Sequence, residues 1–230
     1  MMGCPGAISA MLIAFQVGGG EPVRIATEGH YPPYVTVSAS GEIGGFEKEV
    51  ADDICARAKL DCRWEFAQFD TLLPGVMSGT YDIAIGGIAV TEERLAEVDF
   101  SLSYSKSSED TVYIGHANAP PPDAALIGVQ SGTIFEMQMR KLGRRYLSFP
   151  TAEAMGDALL AGQVDLVLGG TQLDLIGNGD IVSMGSETIP DLGTAMAICK
   201  GNTGLKTSID TALREMMADG TLDAITSRWF

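Results

Sequence analysis

Short apolar runs rich in Val, Ile and Leu recur along this chain, each separated from the next by a longer stretch of helical period. That alternation is the pattern of a mostly parallel α/β fold. It predicts strands at Val23–Thr27, Cys62–Phe66, Tyr81–Ile85, Asp110–Ile114, Leu126–Val129, Val164–Leu168 and Thr194–Cys199. Helices are expected at Phe46–Arg57, Thr71–Met77, Gly132–Lys141, Thr151–Ala161 and Leu205–Asp219, with a short last helix reaching Phe230. The first of these puts Val50, Ile54 and Cys55 on one face and Glu47, Lys48 and Asp52 elsewhere. Leu205–Asp219 lines up Ile209, Leu213 and either Met216 or Met217, and Asp219-Gly220 ends it. The Pro-Pro-Pro stretch within Ala117–Asp123 cannot continue a sheet, since proline offers no N–H, and is expected to be a loop.

With 230 residues, 46% of them hydrophobic, the chain can bury one generous core or two modest ones. A formal charge of -15 with only 15 Lys and Arg excludes nucleic acid as a partner, because that binding depends on cations neutralising phosphates. Within Met1–Gly20, the apolar stretch Ala7–Val17 is too short to span a bilayer and suits the apolar part of a secretory signal, although no Lys or Arg precedes it. Residues 1–20 are therefore expected to be an atypical signal segment. Cys4 precedes that stretch instead of following it, which argues against lipidation. Cys55 and Cys62 flank the join of a helix end and a strand start, where a tight bridge is feasible in an oxidising compartment. Neither His30 nor His116 stands at ligand spacing from a cysteine and no C-x-x-C occurs, so no metal site and no cofactor are expected.

Catalytic signatures are missing: there is no G-x-S-x-G, no P-loop, no G-x-G-x-x-G after a strand and no H-E-x-x-H. His30 and His116 are isolated, and Glu47, Glu49 and Asp52 on a helix read as solvated carboxylates. The run Tyr81–Arg94 stands out. A buried strand ends at Gly86-Gly87, whose lack of side chains lets a ligand approach the backbone, and Thr91 then caps a helix carrying Arg94 in its first turn. Free N–H groups at a helix start, with a guanidinium able to grip a carboxylate through two hydrogen bonds, make an anion clamp. An ordinary strand-turn-helix with Arg94 paired to Glu93 or Glu97 at the surface fits the same residues equally well. Ile127-Gly128-Val129-Gln130-Ser131-Gly132-Thr133 has the same character, and two such helix starts could share one anion.

An ordered set of segments carries a resemblance. The segments are Ile25–Glu28 with Tyr31–Tyr34, Gly44–Glu47, Leu73–Gly79, Tyr81-Asp82, Gly87 through Arg94, Val98–Ser101, Gly128–Thr133, Leu159–Asp165, and Asp219–Thr221 with Arg228–Phe230. Together they resemble the polar amino acid-binding family of periplasmic solute-binding proteins, the receptor components of ABC importers, over Val23 to Phe230. The resemblance implies a two-lobed α/β fold of type II, with mostly parallel sheets, an antiparallel crossing strand and two hinge strands near Asp110–Ile114 and Leu192–Ile198. Lobe 1 would take 21–111 and 195–230, and lobe 2 would take 112–194. It further implies a periplasmic monomer that closes on a small carboxylate-bearing solute in the interlobe cleft and delivers it to an inner-membrane permease. The Cys55 to Cys62 spacing is similar to a disulfide of some basic amino acid receptors. By resemblance, Tyr31 lies against the solute, with Phe69 a second apolar wall and Glu28 near the solute side chain. Arg94 holds the α-carboxylate with help from Ser131 and Thr133. Ala89 and Gly170 stand where the family commonly has Ser or Thr and Asp, the groups that hold the α-ammonium. That departure implies a solute without a free α-ammonium, such as a keto acid or N-substituted amino acid, or a replacement acid at Glu28 or Asp174. Gly86, Gly87, Ala89, Gly169 and Gly170 also leave room for a larger ligand. The alternative is an enzyme on the same scaffold, a dehydratase of a cyclic carboxylate such as prephenate or arogenate, with Glu28, His30 or Asp174 as acid or base.

Overall fold

The computed structural model describes residues 21–106, 111–169 and 175–230. The expected signal segment, Asp110, Gly170 and Asp174 lie outside the described residues. The chain divides into two compact units. The first takes the described chain up to Ala67, Leu72–Ser105 and Gly193–Phe230; the second takes Gln68–Thr71 and the described part of Lys106–Leu192.

In the first unit a five-stranded sheet runs in the order β4 (Cys62–Phe66), β1 (Val23–Thr27), β5 (Ile83–Ala84), β12 (Ala197–Ile198), β6 (Asp99–Phe100). β1 lies parallel to β4 and β5, and β12 is the single antiparallel member, pairing with β5 on one side and β6 on the other. A two-stranded ribbon, β2 (Thr36–Val37) and β3 (Ile43–Gly44), precedes α1 (Phe46–Ala58). The apolar faces of α1, α6 (Thr203–Asp219) and α7 (Thr221–Trp229) bury Val50, Ile54, Ile209, Leu213, Met216 and Ile225 against Ile25, Ile83 and Ile198 of the sheet. Met216 is therefore the core member of its pair, and Met217 is exposed. α6 ends as expected on Gly220, whose φ of 81° places it in the left-handed region that glycine enters without a Cβ clash. α1 ends on Lys59 in the same region, and Cys55 and Cys62 are joined across that turn. Arg57 pairs with Asp53 on its own helix and with Asp219 at the end of α6, tying the two helices together.

The second unit is built on the order β11 (Ile181–Glu187), β7 (Thr111–His116), β10 (Leu166–Leu168), β8 (Ile127–Gln130), β9 (Tyr146–Phe149). β8 is parallel to β9 and β10, while β7 runs antiparallel to both of its neighbours. Successive side chains of a strand point to opposite faces. Leu166 and Leu168 accordingly pack with Tyr113, Ile127, Val129 and Met139 of α4 (Ile134–Leu142). Val167 packs on the other face with Ile114, Ile181 and with Met155 and Leu159 of α5 (Ala152–Leu160). Because both faces are covered, the central strands read as unbroken apolar runs without alternation.

Apart from short ribbons, the strands that periodicity missed are β6, β9 and β11. β9 and β11 are the two edges of their sheet, and their serines and half-exposed positions hide the apolar signal. The expected strand at Asp110–Ile114 is β7, displaced to Thr111–His116 and belonging wholly to the second unit's sheet. Apart from the short excursion at Gln68–Thr71, the chain leaves and re-enters the first unit at Ser105–Lys106 and Leu192–Gly193. There, Ser105 bridges to Thr194, and the N–H of Tyr104 bonds the Thr194 carbonyl. Gly193 has φ 95°, and a Cβ on it would stand 2.8 Å from the Ser105 carbonyl oxygen, so only glycine fits where these two passes meet.

The cystine closes a short loop, with a sequence separation of 7. Replacing both cysteines by serine is expected to lower the unfolding free energy by about 2 kcal/mol through the freed entropy of the unfolded chain. Chemical denaturation of the double variant beside the oxidised parent measures it.

Candidate functional site

β1 and β5 end side by side, and the glycine pair that follows β5 sits at the tip of the first unit's sheet. Gly87 has φ 64°, and a Cβ on it would lie 2.6 Å from the Tyr31 ring, so the missing side chain is what lets that ring rest on the turn. Tyr31 is itself stacked on Tyr34, with ring centroids 5.3 Å apart. Gly86 is in an extended left-handed conformation with φ 153°, and the nearest atoms to a Cβ there are Thr27 Oγ1 at 3.6 Å and Leu72 at 3.7 Å. Thr27 Oγ1 is buried and has no hydrogen-bond partner among the described residues.

Glu47 corrects the sequence reading. It was expected to be solvated, yet it is 0% exposed. Both carboxylate oxygens accept from the Gly87 N–H, at 2.9 and 3.0 Å, and the Tyr104 hydroxyl donates to Oε1. Burial pushes the Glu47 carboxyl up to about 7, against the pull of the Tyr104 and Gly87 hydrogen bonds. The signal was available: Glu47, Val50, Ala51 and Ile54 fall at i, i+3, i+4 and i+7, so Glu47 shares the buried face of α1.

Arg94 lies in α3 (Glu92–Glu97), whose N-cap Thr91 accepts the Arg94 N–H on its side chain. The Arg94 side chain is not a surface group: the residue is 4% exposed, and its Nη1 donates to the Ala89 carbonyl at 2.7 Å. That hydrogen bond turns the guanidinium back on the segment that follows Gly86-Gly87. Ala89 is buried, bridges to Thr194, and brings only a methyl group to its position. Glu28, directly after β1, is half-buried, while His30 is exposed. The first unit thus brings Tyr31 to Gly87 and Arg94 to Ala89, with Glu28 three residues from Tyr31.

In the second unit, Thr133 is the N-cap of α4, its hydroxyl donating to the Gln130 carbonyl and accepting the Glu136 N–H. Ser131 is half-buried, and its N–H bonds the Phe149 carbonyl of the edge strand. Phe69 is the first residue of α2 (Phe69–Ser78) and is half-buried. His116 pairs with Asp180 at the surface, 2.6 Å away, which gives it a structural partner. Among the described residues no group of three or more His, Cys, Asp or Glu is arranged to hold a metal.

The first unit thus holds a buried guanidinium, a side-chain-free turn and an aromatic ring resting on that turn. The family described as bacterial extracellular solute-binding proteins, family 3, matches residues 23–230. The chain belongs to this family. ABC transporter arginine-binding protein 1 of Escherichia coli strain K12 is 26% identical, with 97% of each chain covered. The L-cystine-binding protein TcyJ of the same organism is also 26% identical, over 90% of this chain and 81% of the relative. Among solved structures, a periplasmic His/Glu/Gln/Arg/opine family-binding protein from Silicibacter pomeroyi in complex with lysine matches with TM-score 0.82 and 29% identity, over 90% of this chain and 96% of that one. An ancestral arginine-binding protein bound to glutamine matches with TM-score 0.82 and 27% identity, covering 93% and 99%. The fold is thus the two-lobed type II α/β fold of this solute-binding family, as the resemblance implied.

The burial of Glu47 has a thermodynamic consequence. Its carboxyl titrates near 7 when folded and near its ordinary 4.5 when unfolded, so between those values the folded state holds a proton that the unfolded state has lost. Stability is therefore expected to fall as pH rises from 4.5 to 7 and to level off above, by roughly 3 kcal/mol at most for a shift of this size. Glu47→Gln removes the titration, and the difference in Tm between parent and variant across pH 4.5 to 8 isolates it.

Proposed function

We propose that this protein is the receptor of an ABC-type amino acid importer, working in the periplasm and handing its solute to an inner-membrane permease. The observation that carries this reading is the buried Arg94 guanidinium, fixed by the Ala89 carbonyl beside the Gly86-Gly87 turn. A guanidinium held in one orientation loses little freedom when a carboxylate docks, and a planar fork meets both carboxylate oxygens at once. Tyr31, resting on Gly87, supplies an apolar wall for the solute, and relatives named for binding arginine and cystine support an amino acid or derivative as the ligand class. Reversible binding needs only that the solute favour one conformation of the protein over another.

The solute we propose is an amino acid or a derivative of one, and Ala89 bears on which. A methyl group there offers no hydrogen bond to an ammonium, and an ammonium brought out of water without partners is costly. That favours keto acids and N-substituted amino acids over ordinary α-amino acids. The relatives reported above are named for binding, which favours a receptor over the dehydratase alternative.

A thermal-shift screen of amino acids, keto acids, N-substituted amino acids and cyclic carboxylates tests the assignment. A true solute at 100 times its Kd stabilises the protein by about 2.7 kcal/mol. Arg94→Ala is expected to abolish the shift while the unliganded variant still melts cooperatively, and Arg94→Lys to retain a fraction of it. A hit indifferent to both substitutions refutes the carboxylate assignment, and consumption of a cyclic carboxylate refutes the non-catalytic one. Ala89→Ser adds a hydroxyl and is expected to improve binding of ordinary α-amino acids by about 1 kcal/mol, or roughly fivefold; isothermal titration with no gain counts against the part given to Ala89.

A further inference from the structure

The first turn of α1 is a junction of three segments, and Glu47 makes the connection to each. Its backbone N–H bonds the Tyr34 carbonyl at 2.9 Å, and the Phe46 N–H bonds the Pro33 carbonyl at 2.9 Å, which fastens the Tyr31–Val35 loop to the helix start. That loop is closed on itself by paired hydrogen bonds between Tyr31 and Val35, both 2.9 Å. Gly45 permits the docking: its φ is 107°, and a Cβ would stand 2.9 Å from Val35 Cα. The Glu47 side chain turns the other way, to the Gly87 N–H and the Tyr104 hydroxyl. One residue therefore fixes both partners of the Tyr31–Gly87 contact, the ring through the loop backbone and the turn through its carboxylate.

We propose that Glu47 is a positioning residue for solute binding, whose ionised carboxylate holds the Gly86-Gly87 turn against the Tyr31 ring and so makes solute affinity depend on pH. The inference rests on the solute-binding reading above, because it takes Tyr31 and Gly87 as groups that meet the solute. The ionised form is the one that grips, since hydrogen bonds to a charged acceptor are about twice as strong as neutral ones. Protonation leaves one oxygen a donor and weakens the hold on the Gly87 N–H. Beyond burial, the groups that act on Glu47 are Tyr104 after β6, the backbone of Gly86 and Gly87, and Glu28 after β1, while Tyr31 in the loop and Tyr104 feel the Glu47 charge in turn. Both tyrosines are raised above their ordinary value, by burial first, so they stay neutral across the range where Glu47 titrates. Glu28 raises Glu47 further by charge repulsion.

The test follows the Gly87 amide by NMR from pH 5.5 to 8.5 in the parent and in Glu47→Gln, without ligand, and measures affinity for the screened solute in the same buffers. The Gly87 resonance is expected to titrate with a midpoint near 7 in the parent and to be flat in the variant. Affinity of the parent is expected to drop several-fold from pH 8 to pH 6, and that of Glu47→Gln to be lower at pH 8 and independent of pH. Tyr104→Phe, which removes one donor to the carboxylate, is expected to move the Gly87 midpoint upward. A Gly87 amide that does not titrate overturns the coupling, whatever the solute. A titrating amide with an affinity that ignores both pH and Glu47→Gln overturns the positioning role. A parent that binds no carboxylate solute at pH 8 refutes the receptor reading, while a titrating amide in that same sample upholds the grip of Glu47 on the turn.

Discussion

A carboxylate with no access to water sits under the turn that follows β5 of the first unit, and the local architecture is arranged around it. A buried charge of this kind is tolerated only when hydrogen bonds replace its hydration, and here the Gly87 amide and the Tyr104 hydroxyl do so. Its place in the first turn of α1 adds the favourable end of the helix dipole. These contributions fall short of bulk water, which is why the proton is held to about 7. An alanine or leucine at position 47 would fill a core at lower cost, but neither would reach Gly87. The cost in stability fits a group retained for the geometry it imposes, a common relation between stability and function.

Glycine is required at Gly87 and Gly193 for two different reasons that combine at each. Both have positive φ, and both have a neighbour so close that a Cβ would collide with it: the Tyr31 ring at the first, the Ser103 side chain and Ser105 carbonyl at the second. The first collision defines where an aromatic wall meets the candidate site. The second marks the place where the two passes of the chain out of the first unit lie side by side. Gly86 differs, because its Cβ direction is open to contacts no closer than 3.6 Å, and its backbone conformation alone restricts it.

Much of this was legible in the sequence, and the failures have a common cause. Strands with buried faces, such as Val23–Thr27 and Ile127–Gln130, appear where their apolar or β-branched residues place them, because burial and strand preference act on the same side chains. The edge strands β9 and β11 escaped because half their positions face water and accept serine as readily as leucine. Arg94 was ambiguous, since a helix start rich in glutamate suits a surface ion pair as well as a clamp, and only its burial separates the two. Glu47 was misread for a related reason. Residue type was allowed to outweigh position, although the helical period sets it beside Val50 and Ile54 on the covered face. Polar residues at core positions are where such reasoning breaks down, and they are also where function concentrates.

The same principle bears on Thr27. Its hydroxyl is buried without a partner among the described residues, one residue before Glu28 and under the Gly86 position. A buried hydroxyl left unpaired costs on the order of 1–3 kcal/mol. Valine is nearly the same shape and would avoid that cost, so packing alone does not account for threonine here. Thr27, Gly86 and Glu47 are thus three departures from the ordinary rules of a core, each within reach of the turn at Gly86-Gly87. Their concentration at one end of one sheet marks that turn as a place where packing alone did not choose the residues.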